Sequence, residues 1–232
     1  GTHAYQVSPD GRWAIHTYSR FERPPVIDLV RLPEHTRVRM LAANARLHEK
    51  GAALKRKPAE FFRVDIGDGV ELDGWRLEPP DMEPGRRYPL LMHVYGEPAG
   101  QTVLDRWGGN TYLWHLMLAQ RGYVVASVDN RGTPAPRGRA WRKSIYRQIG
   151  ILASQDQAAA VRRIREWPFV DPARVGSWGW SGGGQMTLNA LFRYPDLYST
   201  GIAVAFVSDQ RLYDTIYQER FMARPQDNPE GY

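Results

Sequence analysis

Arg174-Val-Gly-Ser-Trp-Gly-Trp-Ser-Gly-Gly-Gly-Gln-Met-Thr-Leu188 decides how the rest of the chain is read. The stretch opens as a short apolar run, turns at a serine set among glycines and continues as the start of a helix. Gly179-Trp180-Ser181-Gly182-Gly183 within it is a G-x-S-x-G pentapeptide. A serine hydroxyl is a poor nucleophile, so a hydrolase lifts it clear of the sheet on a tight strand-to-helix turn where a base reaches it. Gly179 leaves room beneath Ser181, Gly183 lets the helix approach the strand, and the Gly182 N–H can face the oxyanion formed on acyl transfer. Positive charge at the helix N-terminus adds to such a site. The competing reading is a glycine-rich turn with a bystander serine. A phosphate-binding loop is disfavoured, because there is no G-x-G-x-x-G here and no G-x-x-x-x-G-K-[ST] anywhere in the chain.

Outward from the pentapeptide the rhythm is strand and helix in alternation. Pro89 to Tyr95, Tyr123 to Val128, Val175 to Trp180 and Ile202 to Val207 are near-continuous apolar runs, as expected of strands covered on both faces. Asn110 is placed to cap a helix carrying Leu113, Trp114, Leu116 and Met117 that stops at Gly122. Ser154-Gln-Asp-Gln157 reads as a capping box for a helix with Val161 and Ile164 on one face. The third helix follows Ser181. Such units imply an α/β fold with a parallel, doubly wound sheet and active residues at the carboxyl ends of its strands.

Nearer the N-terminus the pattern is all strand. Ala4 to Val7, Trp13 to Tyr18, Val26 to Arg31 and Arg37 to Leu41 are short strand-like runs, with Ser8-Pro-Asp-Gly11 as a turn between the first two. Four short strands match one blade of a β-propeller, so residues 1–41 are expected to be the last blade; the alternative is a small antiparallel extension of the next domain. Residues 42–58 turn polar and basic and read as a linker. Residues 59–232 then form the main α/β domain, opening with a hairpin joined by Gly67-Asp68-Gly69.

Composition narrows the function classes. With 232 residues, 42% hydrophobic and 12% aromatic, the chain can bury a full core. No run approaches a membrane span. Zero cysteines exclude disulfides, thiolate metal sites and a cysteine nucleophile. The net charge of +6 comes from 31 basic residues, all arginine except Lys50, Lys55, Lys57 and Lys143. They are scattered, and the densest group, Arg137, Arg139, Arg142, Lys143 and Arg147, reads as a solvated loop rather than a nucleic-acid surface.

Taken together, these motifs resemble the dipeptidyl peptidase IV branch of the prolyl oligopeptidases. The resemblance rests on Ser8-Pro-Asp-Gly11, Tyr88-Pro-Leu-Leu-Met-His-Val-Tyr95 before a Gly/Pro loop, Asp129-Asn-Arg-Gly132, Trp178-Gly-Trp-Ser-Gly-Gly183, Gly201-Ile-Ala-Val-Ala205 and Tyr213-Asp-Thr-Ile-Tyr-Gln-Glu-Arg220. It implies an α/β-hydrolase serine peptidase preceded by a β-propeller, taking peptide substrates and needing no metal or organic cofactor. It implies Ser181 as nucleophile, with the Gly182 N–H and the Tyr95 hydroxyl as oxyanion donors. Val207, Tyr213 and Tyr217 match positions lining a small pocket for proline or alanine; without the resemblance, the two tyrosines at i, i+4 read as one helix's packing face. A homodimer is a further implication, as is a periplasmic or secreted location if the source is bacterial.

Two departures bear on that pocket. Gly182 stands where the branch commonly has a bulky aromatic, and Gln210 where it often has tryptophan, so the pocket is expected to be widened or reshaped. A third departure concerns the triad, whose order in this fold is Ser, then Asp or Glu, then His. All six histidines, His3, His16, His35, His48, His93 and His115, precede Ser181. The expectation is therefore a segment of a longer peptidase, silent by itself. Rival readings are an esterase or acylaminoacyl-type hydrolase of the same fold, and a non-catalytic binding module on that scaffold.

Overall fold

Residues 174–180 form the carboxyl end of a strand, Val170–Trp180, that lies second from one edge of a six-stranded sheet. The computed structural model describes all 232 residues, 1–232. Its elements are β1 (Thr2–Val7), β2 (Trp13–Arg20), β3 (Arg23–Arg31), β4 (Thr36–Ala42), α1 (Ala45–Ala52), β5 (Glu60–Asp65), β6 (Glu71–Leu77), β7 (Tyr88–His93), α2 (Gly109–Gln120), β8 (Val124–Val128), α3 (Gly138–Lys143), α4 (Ile151–Ile164), β9 (Val170–Trp180), α5 (Gly182–Arg193), β10 (Thr200–Val204) and α6 (Thr215–Met222). The first four strands make an antiparallel sheet in chain order, and the other six make a second sheet ordered β10-β9-β7-β8-β6-β5. Within the second sheet, β10, β9, β7 and β8 are mutually parallel while β6 and β5 are antiparallel. The expected α/β class holds, with the sheet mixed at one side.

Alternation along the central strands divides the core in two. Val124, Ala126 and Val128 of β8 join Leu90, Met92, Val161 and Ile164 on the face covered by α4 and α5. Val125 points the other way, against Trp75, Leu77 and the α2 residues Tyr112, Leu116 and Ala119. Both faces of β8 are thereby dry, which is why its sequence is apolar but for Ser127, whose hydroxyl donates to the His93 carbonyl at 2.6 Å. Phe21, from the turn between β2 and β3, packs on Trp75 and Tyr112 and so ties the first sheet to the second. Several large apolar side chains of the first sheet stay exposed, among them Tyr5, Val7, Val38 and Met40. No helix is long and apolar enough to cross a membrane.

Several local readings are corrected. Helix α4 begins at Ile151 behind Gly150, whose φ of 90° marks the true entry; Ser154 lies inside it, its hydroxyl bonded back to the Gly150 carbonyl at 2.5 Å. The polar Ser-Gln-Asp-Gln signature is explained by burial, since Asp156 and Gln157 are partners of the loop after β8 and not a cap. Helix α2 starts at Gly109, one residue ahead of Asn110, with no side-chain cap. Strand β9 begins at Val170, and the Asp-Pro-Ala-Arg turn is an excursion within it, between the Tyr88–Val170 and Leu90–Val175 pairs. Strand β10 ends at Val204, so Val207 lies beyond it.

Candidate active site

Strands β7 and β9 are neighbours, yet the chain passes from β7 to β8 on one side before returning to β9 on the other. A reversal of this kind opens a crevice at the carboxyl ends of the two strands. Tyr95 lies just past the end of β7, and Ser181 just past the end of β9.

Ser181 sits at φ 57°, ψ −120°, between β9 and α5. This conformation is costly for a residue with a side chain and persists only where the surroundings enforce it. Here they do. The Ser181 N–H donates to the Val204 carbonyl of β10 at 2.9 Å, and its carbonyl accepts from Gln185 N–H at 3.1 Å in the first turn of α5. A side chain on Gly179 would come within 2.5 Å of the Val94 carbonyl oxygen, and one on Gly183 within 3.3 Å of Tyr95 Cα. The two glycines therefore let the serine corner press against the end of β7, which brings Tyr95 beside it. Ser181 itself is half-buried, and Trp180 next to it is exposed.

The Tyr95 phenol is held above its ordinary value of 10, first by burial and then by the nearby Glu97 carboxylate. It therefore stays protonated, as a hydrogen-bond donor must. The Tyr217 phenol is pushed up too, by burial and then by Glu97, and its Oη donates to Glu97 Oε2 at 2.6 Å. Tyr217 lies on α6, capped by Asp214, whose carboxylate accepts from Tyr217 N–H at 2.8 Å. Tyr213 precedes that cap in extended backbone, so the two tyrosines are not one helix's packing face. Their rings meet edge to face, 5.4 Å between centroids. Val207 is half-buried on the segment leaving β10, three residues beyond Val204, whose carbonyl accepts from the Ser181 N–H.

Behind the site a polar frame sets the loop after β7. Asp129 accepts from the Thr102 N–H at 2.8 Å and the Val103 N–H at 3.1 Å, with burial raising its carboxyl nonetheless. Asn130 Nδ2 donates to the Gly96 carbonyl at 3.0 Å, while its Oδ1 accepts from Gln157 at 3.0 Å. Arg131 pairs with Asp156 through two guanidinium nitrogens, at 2.7 and 3.0 Å. The Asp-Asn-Arg-Gly motif is thus the brace of the Tyr95 turn.

Gln210 is buried and bonded to Gln185 at 2.7 Å and to Gln218. The space over Gly182 is not open either, because Glu97 fills it. Reading residues singly missed Glu97; its only signal was an acidic residue in a Gly/Pro loop.

The histidines are engaged elsewhere. His93 stacks on Trp178 with centroids 4.5 Å apart, and His115 Nε2 accepts from Trp178 Nε1 at 3.0 Å. His3 and His16 bond to each other in the first sheet.

A family model described as "Prolyl oligopeptidase family" matches residues 110–232. A probable dipeptidyl-aminopeptidase B of Emericella nidulans is 42% identical over 75% of this chain and 19% of its own length. A probable dipeptidyl peptidase 4 of Aspergillus flavus is 33% identical over 84% of this chain and 25% of its own. Among solved structures, Porphyromonas gingivalis dipeptidyl peptidase 4 superposes with a TM-score of 0.93 at 43% identity, covering 100% of this chain and 32% of that one. A putative dipeptidyl aminopeptidase IV of Bacteroides ovatus gives 0.86 at 31% identity, again over 100% and 32%. These 232 residues thus span about a fifth to a quarter of the curated relatives they match.

Proposed function

This chain belongs to the dipeptidyl peptidase 4 branch of the prolyl oligopeptidase family, and from that premise we propose that it carries the nucleophile of a serine peptidase releasing short peptides from N-termini. Ser181 attacks the scissile carbonyl and forms an acyl-enzyme. The oxyanion is held between the Gly182 N–H and the Tyr95 hydroxyl, with the α5 N-terminus adding positive potential. The observation that carries this reading is the forced φ of 57° at Ser181 with Tyr95 brought beside it by the Gly183 approach.

Proton transfer needs a histidine that none of the six here supplies. His93 is held to about 4 by burial, and His115 is taken well below its ordinary 6.5 by burial and then by His93; both are locked against Trp178. The base and its orienting acid are therefore assigned to the rest of the protein. Val207, Tyr213 and Tyr217 are assigned to the wall of the pocket for the residue before the scissile bond. Two aromatic walls suit a flat pyrrolidine ring; the buried Glu97 carboxylate beside them does not. Residues 1–41 are assigned to a propeller blade, 42–58 to a linker holding α1, and 59–232 to the peptidase domain. The separate four-stranded sheet and its exposed apolar side chains support that division.

The test is covalent labelling by a fluorophosphonate. The full-length protein is expected to label at Ser181 and to lose labelling in Ser181→Ala, whereas the 232 residues alone react slower by about 10⁴ to 10⁶. Equal rates for the two would refute the missing-base assignment. Absence of labelling in the full-length protein would refute the peptidase.

A further inference from the structure

Glu97 is 4% exposed and lies two residues beyond Tyr95, on the loop that Asn130 braces at Gly96. A side chain on Gly182 would approach its Oε2 to 2.5 Å and its Cγ to 2.7 Å. Its carboxylate is thus laid over the backbone that supplies the assigned oxyanion donor. One hydrogen bond reaches it, from Tyr217 Oη at 2.6 Å. The sixteen ion pairs of the chain leave it out, from the Gly1 amine with Asp105 to Arg224 with Asp227.

A carboxylate offers about four acceptor sites, and one is used. The groups shown beside it are phenols: Tyr217 bonds to it and Tyr95 feels its charge. Buried charge without a cation is expensive and invites one. The turn itself is made by Gly96, with φ 78°.

Resting on the peptidase reading, we propose that Glu97 is a specificity-determining residue that selects substrates with a basic side chain, lysine or arginine, at the residue whose carbonyl Ser181 attacks. Gly182, with no side chain, leaves the carboxylate facing that residue. The charged head pairs with Glu97, and its apolar stem lies along Tyr213 and Tyr217. Burial raises the Glu97 carboxyl above its ordinary value, and an incoming cation favours its charged form.

The same ammonium chemistry could come from the substrate's free N-terminus, so the test holds that group constant. Gly-Lys, Gly-Arg, Gly-Ala and Gly-Pro p-nitroanilides are compared on the full-length protein and its Glu97→Gln variant, with fluorophosphonate labelling of Ser181 measured on both. Expected are higher kcat/KM for the lysine and arginine substrates than for alanine, and a fall of at least about 30-fold in the Lys/Ala ratio in E97Q, labelling being retained. An unchanged ratio with alanine or proline turned over overturns the proposal and leaves the peptidase standing. An equal fall for all four assigns Glu97 to the N-terminus and overturns it too, as does labelling with none of the four cleaved. Loss of both cleavage and labelling in the parent protein removes the peptidase reading and this inference with it.

Discussion

The oxyanion role proposed for Tyr95 requires its hydroxyl to stay protonated. A phenol donates to a developing alkoxide only while it keeps its proton, and burial beside Glu97 raises Tyr95 above its ordinary value of 10. Any alkaline loss of activity caused by Tyr95 should therefore lie above pH 10. Replacing Tyr95 by Phe keeps the ring and the Gly100 contact, where a side chain would come 3.0 Å from Cε1, and removes one donor. The expected cost in the full-length enzyme is about 3 kcal/mol, roughly 10² to 10³ in kcat, with KM little changed. Steady-state kinetics on a chromogenic dipeptide decide it; a change confined to KM would mean that the hydroxyl binds substrate and not the transition state. Ser181, Tyr95 and Gly182 could be proposed from the sequence because each belongs to a short motif whose chemistry is local. Glu97 was not, because its meaning depends on Tyr217, 120 positions away, and on the bare Cα of Gly182.

At the level of elements, the loops are harder to read than the strands. Strands β7, β8 and β9 announce themselves because burial on both faces leaves only small polar residues, Ser127 and Ser177, among the apolar ones in their centres. Helix α4 misleads for the opposite reason. Ser154, Asp156 and Gln157 look like an exposed N-terminal turn, yet all three are buried, and the latter two hold Arg131 and Asn130. Polar residues facing inward are indistinguishable from polar residues at a cap until their partners are known. The consequence is testable at Asn130, which links Gly96 on the β7 loop to Gln157 on α4. Asn130→Ala leaves the Gly96 carbonyl and the Gln157 amide short of a partner, at a cost of about 1–3 kcal/mol. Urea unfolding should show that loss, and kcat should fall with it because Tyr95 is no longer held. A variant that loses stability while keeping kcat would confine Asn130 to the fold.

Across the whole molecule, the two sides of the larger sheet are joined through one aromatic cluster. Trp75 of β6, His93 of β7, His115 of α2 and Trp178 of β9 stack or tilt against one another at 4.5 to 6.4 Å. Both histidines must be neutral there: His115 Nε2 accepts from Trp178, and His93 Nδ1 is buried without a partner. Burial accordingly lowers His93 to about 4 and takes His115 well below 6.5. The unfolded chain takes up these protons near pH 6.5, whereas the folded chain resists them. Their contribution is therefore fully present above pH 6.5 and is lost as pH falls from there through 4. For His93 alone the loss amounts to about 3 kcal/mol at most. The urea midpoint should thus drop steeply between pH 6.5 and 4, followed by tryptophan fluorescence. His93→Phe preserves the stack on Trp178, removes the partnerless nitrogen and cannot titrate, so its midpoint should fall less over the same interval. If wild type and H93F decline in parallel, acid sensitivity arises in the carboxylates and the histidine cluster is only a packing unit.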